Sequence, residues 1–378
     1  MIDKDTLLKK LEALRSEPVQ EFVRKESEWN DYTEYVDAEK ICKKPVVSCC
    51  VFTYNQEKYI RECLDSIVSQ KADFDYEVLV CEDCSTDGTL AICREFQTRY
   101  PEKVRIIHAN RNYYCGALNF RRGYELARGE YIAICEGDDY WCNDAKIQLQ
   151  YNAAREKNAV AVFTDNKTLK GGQLSPQGVF ESRNLYDRIA NFTREDFIAE
   201  RFGDKRDNAL NFVTATTFIN KDVLLDIKNG CLGRKRLKLG DLQVRAGCGR
   251  LGIVAFLPIV CAVYRQGVGV SSACTRERSA DFVIDGIMVN VYIKWDVLSK
   301  RERKRLLRWG VTGLLLKTNA QKDEKSKVRT CVVSLLQDLP GSFLPKFTLL
   351  YILNFFCCGI VLWQRFSQVK SKLKFVIG

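Results

Sequence analysis

One histidine, His108, serves a chain of 378 residues, and that scarcity removes several chemistries. A Ser-His-Asp triad or a histidine-built zinc site needs imidazoles the chain does not have. His108 closes the short strand pattern Val104 to Ile107 and reads as structural. The 17 cysteines do not take its place, because the count is odd and the chain is too long for a disulfide scaffold. Cys49, Cys50, Cys135, Cys261, Cys357 and Cys358 sit inside apolar runs and read as reduced core residues. Cys81 and Cys84 form one C-x-x-C with no second pair, so zinc is not expected there. No apolar h-region or cleavage site follows Met1-Ile2-Asp3-Lys4-Asp5, which predicts a cytoplasmic protein.

With 46% hydrophobic and 28% charged residues, the composition is that of a globular protein. Its length suits one large domain with appendages, or two domains. The net charge of +11 is unevenly placed. From Lys294 onward there are 17 Lys and Arg against five Asp and Glu, a net +12, which leaves residues 1–293 near −1. A nucleic-acid enzyme carries its basic stripe over the catalytic body. Here the excess lies on a tail, so nucleic acid is not the expected partner.

Residues 1–44 are polar, with Leu7, Leu8, Leu11 and Leu14 at helical spacing, which predicts a helical extension. From Pro45 strand and helix patterns alternate. Val46 to Phe52 reads as a buried strand, followed by a helix that Asn55 is placed to cap, with Ile60, Cys63, Leu64, Ile67 and Val68 on its apolar stripe. Val78 to Cys81 is the second strand, and Ser85, Thr86 and Asp87 offer caps for a helix carrying Leu90, Cys93 and Phe96. Val104 to Ile107, a helix over 116–128, and the strand Tyr131 to Cys135 follow. Short apolar strands separated by helices predict an α/β fold whose mostly parallel central sheet has helices on both faces.

Ligands of such sheets bind beyond the carboxyl ends of the strands. Two acidic clusters fall there, Glu82-Asp83 and Glu136-Gly137-Asp138-Asp139. Two facing carboxylate groups repel a phosphorylated ligand unless a cation mediates, and Mg²⁺ is characteristically held by one or two carboxylates plus substrate phosphates. An ordinary acidic turn is the alternative reading of the second cluster.

Four segments in this order and spacing resemble the family 2 glycosyltransferases of GT-A fold, over roughly residues 45–272. They are Val47-Ser48-Cys49-Cys50-Val51-Phe52-Thr53-Tyr54-Asn55, Glu82-Asp83-Cys84-Ser85-Thr86-Asp87-Gly88-Thr89, Arg128-Gly129-Glu130-Tyr131-Ile132, and Glu136-Gly137-Asp138-Asp139-Tyr140-Trp141. The resemblance implies a catalytic domain at 45–275, split into a nucleotide-sugar half (45–141) and an acceptor half (142–275). It implies a donor site at Phe52, Thr53, Tyr54, Glu57, Asp83, Asn119, Gly137, Asp138, Asp139 and Arg265. In it Asp83 accepts a hydrogen bond from a uracil-like imide, which makes a UDP-sugar the expected donor. Arg111 is a further candidate for the donor or phosphate, and for Arg111 and Asn119 alike a surface role is the alternative. Asp138 stands at the last acidic position of the family's D-x-D element and is the implied ligand of Mn²⁺ or Mg²⁺. Glu136 takes the first position, as a direct or water-mediated ligand. Asp139 reaches the sugar or braces the loop, with a solvated or capping carboxylate as the alternative, and Tyr264-Arg265 resembles the family's closing segment, which implies an arginine on the diphosphate.

Leu239-Gly240-Asp241 matches the position of the family's catalytic base, so Asp241 is expected to deprotonate the acceptor hydroxyl. Retaining enzymes of this fold commonly carry a histidine ligand downstream of D-x-D, and none follows His108, so inversion is expected. Thr214-Ala215-Thr216-Thr217 reads as a strand lining the acceptor cleft. Arg305-Leu306-Leu307-Arg308-Trp309 lacks the glutamine of the processive synthases' Gln-x-x-Arg-Trp, which predicts single additions.

Residues 276–378 form a basic helical region. Within it Phe347 to Trp363, 17 residues, is at the lower limit for spanning a bilayer. Flanking charge and aromatic residues favour a helix lying on an anionic cytoplasmic leaflet; a buried helix and a short span are the alternatives. Peripheral attachment would suit a lipid-linked glycan as acceptor. Two other functions stay open: a sugar-phosphate nucleotidyltransferase, whose Gly-rich first loop is replaced here by Phe52-Thr53-Tyr54-Asn55-Gln56, and a non-catalytic nucleotide or sugar binder of the same fold.

Overall fold

The computed structural model describes residues 30–112, 116–187, 212–229, 244, 247–249 and 251–268. All belong to one compact unit, Gln20–Thr275. The expectations placed on residues 1–29, on Asp241 and on 276–378 lie outside the described residues.

Four strands carry the framework: β2 (Val47–Thr53), β3 (Tyr76–Glu82), β4 (Val104–Ala109) and β5 (Tyr131–Glu136). They pair in parallel in the order β4-β3-β2-β5. β1 (Tyr32–Tyr35) edges β4 antiparallel. Beyond β5 the sheet continues through β9 (Phe218–Asn220), β7 (Ala159–Lys170), β10 (Ile253–Gln266) and β6 (Tyr140–Trp141), with β8 (Gln173–Leu174) hairpinned onto β7. Only β7 and β10 are parallel in that half.

Side chains of a strand alternate between faces, and every residue of β2 and β3 is buried. Cys49, Val51, Val78 and Val80 pack under α1 (Ile60–Val68), α2 (Thr89–Arg99) and α4 (Lys146–Glu156). Cys50, Phe52, Leu79 and Cys81 pack on the opposite face against α3 (Gly116–Leu126) and α5 (Lys221–Asn229). The mostly parallel sheet covered on both faces is thus present. The cysteines in the strands are buried free thiols, and desolvation pushes the Cys49 and Cys81 thiols up to about 12.

Three local expectations give way to tertiary contacts. Residues 30–44 contain the strand β1 rather than helix. Asn55 does not cap α1, whose N-cap is Tyr59; Asn55 adopts φ +52° and turns its side chain to the neighbouring loop. Thr214–Thr216 is a 3-10 turn leading into β9, because Thr216 and Thr217 bond back to Val213 and Thr214.

At the amino end of the sheet, away from the acidic clusters, Glu77 is a fully buried carboxylate. It accepts hydrogen bonds from Ser48 Oγ (2.6 Å), Arg105 Nε (2.9 Å) and the Arg128 backbone N–H and guanidinium (2.8 and 2.7 Å). Arg105 also pairs with Glu34 of β1 at 2.7 Å. Gly129 lies so close that a Cβ would fall 2.5 Å from the Ser48 backbone nitrogen. Burial opposes ionisation of Glu77, yet Arg105, Ser48 and Arg128 together hold its carboxyl below the usual range. A depressed carboxylate contributes stability above its unfolded value, near 4.3, and loses it as pH falls through the folded value. Glu77→Ala is therefore expected to cost about 3–5 kcal/mol at neutral pH and to flatten the acid limb of the stability curve, measured by urea unfolding between pH 3 and 7.

Candidate active site

β2, β3 and β5 end side by side: Thr53 pairs with Glu82, and Phe52 with Glu136. The ladder runs one residue further on each side, with Asp83 N–H donating to Thr53 O (3.0 Å) and Gly137 N–H to Phe52 O (2.9 Å). Both acidic clusters therefore flank the exit of one central strand.

The loops after β2 and β3 interlock. Thr86 N–H donates to Asn55 Oδ1 (2.8 Å), Asn55 N–H to Ser85 Oγ (2.9 Å), Gln56 N–H to Thr89 Oγ1 (2.8 Å), Glu57 N–H to Asp87 Oδ2 (3.2 Å) and Gly88 N–H to Glu57 Oε2 (2.8 Å). Glu57 thus meets the facing loop. Asn55 and Ser85, read as helix caps, satisfy donors across the loops instead, whereas Asp87 also accepts from Thr89 N–H (3.0 Å) at the start of α2.

Asp83 stands at the mouth of this pair, 9% exposed. Burial and then the charge of Glu82 push its carboxyl up to about 7, against the pull of Arg122. Glu82 is fully buried and accepts from Ser85 N–H (2.6 Å), with His108 Nδ1 at 2.5 Å from its other oxygen. His108 is therefore tied into the floor of the site. Asn119 is buried, its Nδ2 donating to Cys81 O (2.9 Å), and its Oδ1 has no partner among the described residues. The Phe52 ring faces the core, stacked on Phe120 with centroids 4.0 Å apart, so Phe52 offers the site its backbone. Tyr54 is half-buried on the loop.

Around the second cluster the structure brings in a residue that sequence patterns do not flag. Gln56 Oε1 accepts from Thr53 Oγ1 (2.8 Å), and the same side chain draws the Asp138 carboxyl down. Gly137 is required beside it, since a Cβ there would lie 2.5 Å from Gln56 Oε1 and 2.8 Å from Thr53 Oγ1. Asp138 is half-buried, and desolvation raises its carboxyl above the usual range despite its own backbone N–H, Arg265 and Gln56. Asp139 is 1% exposed; its Oδ1 accepts from Arg265 N–H (2.8 Å), and its Oδ2 has no partner among the described residues. Burial, then Glu136 and Asp138, push its carboxyl well above the usual range. Glu136 is partly exposed at the end of β5.

Arg265, near the end of β10, closes this turn. Its guanidinium donates to Asp138 O (2.6 Å) and to Glu62 of α1, and lies over the rings of Tyr140 (4.7 Å) and Tyr59 (5.2 Å). At 6% exposure it braces the acidic turn from within. Glu62 is the second residue the sequence did not single out, and only the return of β10 brings it to Arg265. Trp141 anchors the far side, donating from Nε1 to Ala215 O (3.1 Å), with buried Lys146 over its ring at 4.1 Å.

Among the described residues no three His, Cys, Asp or Glu side chains converge as a preformed metal cage. The donor set nevertheless fits a hard cation that arrives with a phosphorylated ligand, since Mg²⁺-type sites use one or two protein carboxylates. Glu136, Asp138 and Asp139 crowd one turn, a buried Asp139 oxygen lacks a partner, and Arg265 is shared with Glu62.

The electrostatics give a direct test. A carboxylate whose folded value is raised destabilises the fold when ionised, fully above about pH 7 for Asp83 and not at all below its unfolded value near 4. Asp83→Asn is expected to raise stability by about 2 kcal/mol at pH 8, with the gain vanishing near pH 3 in parallel thermal melts.

The sequence profile of "Glycosyl transferase family 2" matches residues 48–224. Among its relatives, the "dTDP-rhamnosyl transferase RfbG" of Shigella flexneri is 31% identical over 190 residues, 48% of this chain and 58% of that one. The "Putative teichuronic acid biosynthesis glycosyltransferase TuaG" of Bacillus subtilis is 31% identical over 122 residues, 32% of this chain and 46% of that one. The chain thus spans under two thirds of the length of either relative. The crystal structure of S. aureus TarS 1–349 in complex with UDP-GlcNAc superposes with a TM-score of 0.51 at 17% identity, covering 78% of this chain and 81% of that one. With its motifs on the ends of β2, β3 and β5, the chain carries over residues 48–224 a family 2 glycosyltransferase domain, and its described fold is the GT-A fold.

Proposed function

We propose that this protein transfers a sugar, with inversion, from a pyrimidine nucleoside diphosphate sugar to a hydroxyl acceptor, using a divalent metal. The observation that carries the reading is the alignment of Asp83 and the Glu136–Asp139 turn on either side of β2. A carboxylate at Asp83 accepts a hydrogen bond from the imide N–H that uracil and thymine share. That chemistry agrees with the UDP-GlcNAc bound by TarS and with the dTDP-sugar in the name of RfbG.

In this scheme the interlocked loops hold Asp83 and Thr53 against the base, and Asn119, whose Oδ1 has no partner among the described residues, lies on the same side. Asp138 is the carboxylate that would hold Mn²⁺ or Mg²⁺, with Glu136 beside it directly or through water. When bound, the cation offsets the charge that develops on the departing nucleoside diphosphate. Arg265 is a positioning residue that fixes the backbone of Asp138 and the side chain of Asp139, and Gln56, held by Thr53, favours the ionised Asp138 carboxylate. Asp241 is assigned the proton of the acceptor hydroxyl, which it takes as that oxygen attacks the anomeric carbon.

The catalytic domain is assigned to 45–275, with 1–44 as an N-terminal extension and 276–378 as a basic region that attaches peripherally to an anionic cytoplasmic membrane. A lipid-linked glycan in surface polysaccharide assembly is the acceptor that suits such a placement, and TuaG's name points to the same kind of pathway. Among the described residues no helix is long and apolar enough to cross a membrane.

The test is UDP release from UDP-sugars with and without acceptor glycan, in wild type and Asp241→Asn. The substitution is expected to leave donor affinity within about twofold and to lower transfer by about 10²-fold or more. Full transfer by Asp241→Asn would remove it as the base.

A further inference from the structure

The family match begins at residue 48, so β1 lies outside it, yet β1 reaches the site end of the sheet. Its register, Tyr32 on Ala109 and Thr33 on His108, brings Asp31 to the loop after β4. There Asp31 Oδ1 accepts from Asn110 Nδ2 (3.1 Å), Asp31 O accepts from Asn110 N–H (3.3 Å), and Asp31 Oδ2 pairs with Arg111 Nε (3.2 Å). Thr33 Oγ1 adds a bond to Asn110 Oδ1 (2.8 Å). The same loop holds the segment carrying the base-binding carboxylate, for Asn112 Nδ2 donates to Asp83 O (3.0 Å) and Cys84 Sγ contacts Asn110 O (3.7 Å). From below, the ring of Tyr32 covers Arg122 (5.4 Å), the buried cation that moderates the charge of Asp83.

Cys84 has φ +59°, a conformation non-glycine residues adopt only when their surroundings hold it. The contacts from Asn110 and Asn112 supply that hold on one side, and the interlock with the β2 loop supplies it on the other. The Asp31–Arg111 ion pair is solvent-screened, Arg111 being 63% exposed, and adds little by itself. The bonds to Asn110 are what fix the loop.

We propose that Asp31, with the strand β1 that follows it, is a positioning element for the nucleotide base, acting through Asn110 and Asn112 on Asp83. The inference rests on the assignment of Asp83 to a pyrimidine base. It makes the N-terminal extension part of the donor site and separates two ends of that site. β1 governs the base end, and the acidic turn at Glu136–Asp139 is outside its reach.

The experiment is calorimetric titration of the full chain with UDP, with uridine, and with inorganic pyrophosphate plus Mn²⁺. Asp31→Ala is expected to weaken UDP and uridine about tenfold and leave pyrophosphate unchanged, with little change in melting temperature. Asp31→Asn keeps an oxygen for Asn110 Nδ2 and is expected to recover most of the loss. Asn112→Ala is expected to reproduce it, and the double variant to lose no more than either single one, as for residues in one chain of contacts. Unchanged UDP binding by Asp31→Ala, an equal loss for pyrophosphate, or full additivity with Asn112→Ala would overturn the inference while leaving the nucleotide site standing. A wild-type chain that binds pyrophosphate with Mn²⁺ but no pyrimidine nucleotide would overturn the assignment of Asp83 and this inference with it.

Discussion

The burial of carboxylates where three parallel strands end in register is the constraint to which the surrounding structure answers. Glu82 and Asp83 at the end of β3, and Glu136, Asp138 and Asp139 at the end of β5, are carried to one crevice by backbone pairing to β2. Carboxylates out of water cost free energy unless hydrogen-bonded or neutralised. Each is met differently. His108 and the Ser85 N–H satisfy Glu82, and Gln56 reaches Asp138. Arg265 engages Asp139 from its backbone, while Asp83 is left with a raised affinity for protons.

The incomplete compensation is what the proposed function draws on. A structural carboxylate such as Glu77 is saturated with donors and held ionised by Arg105, Ser48 and Arg128. Asp139 keeps a buried oxygen without a partner among the described residues, and the carboxyls of Asp83 and Asp138 are raised rather than lowered. In the proposed function such groups gain a partner when a ligand arrives, the imide of a base for Asp83 and a cation for the acidic turn. The same fold therefore contains both treatments of a buried charge, at opposite ends of one sheet.

The parallel half was legible because β2 to β5 are continuous apolar runs, which only a strand buried on both faces requires. The second half was less so, since β9 is three residues long and the threonines before it bond back into a 3-10 turn. β1, reading Tyr-Thr-Glu-Tyr, has no apolar run, and its place depends on Arg105 and Asn110, more than 70 residues away. In the site, Asp83 and Asp138 were visible because strand ends and acidic pairs are local patterns. Gln56, Glu62 and Asp31 were not, for each acts through a residue distant in sequence or across a loop. Asn55 and Glu57 show local capping chemistry diverted to the facing loop.

The central claim is that the acidic turn and the Asp83 side form one site, completed by a divalent cation and a pyrimidine nucleotide. The most direct measurement is the affinity of wild type and Asp138→Ala for UDP, each with and without Mn²⁺. The account predicts at least about tenfold tightening by Mn²⁺ in wild type and none in Asp138→Ala, with the two proteins alike in its absence. UDP affinity indifferent to Mn²⁺ in both proteins would contradict it.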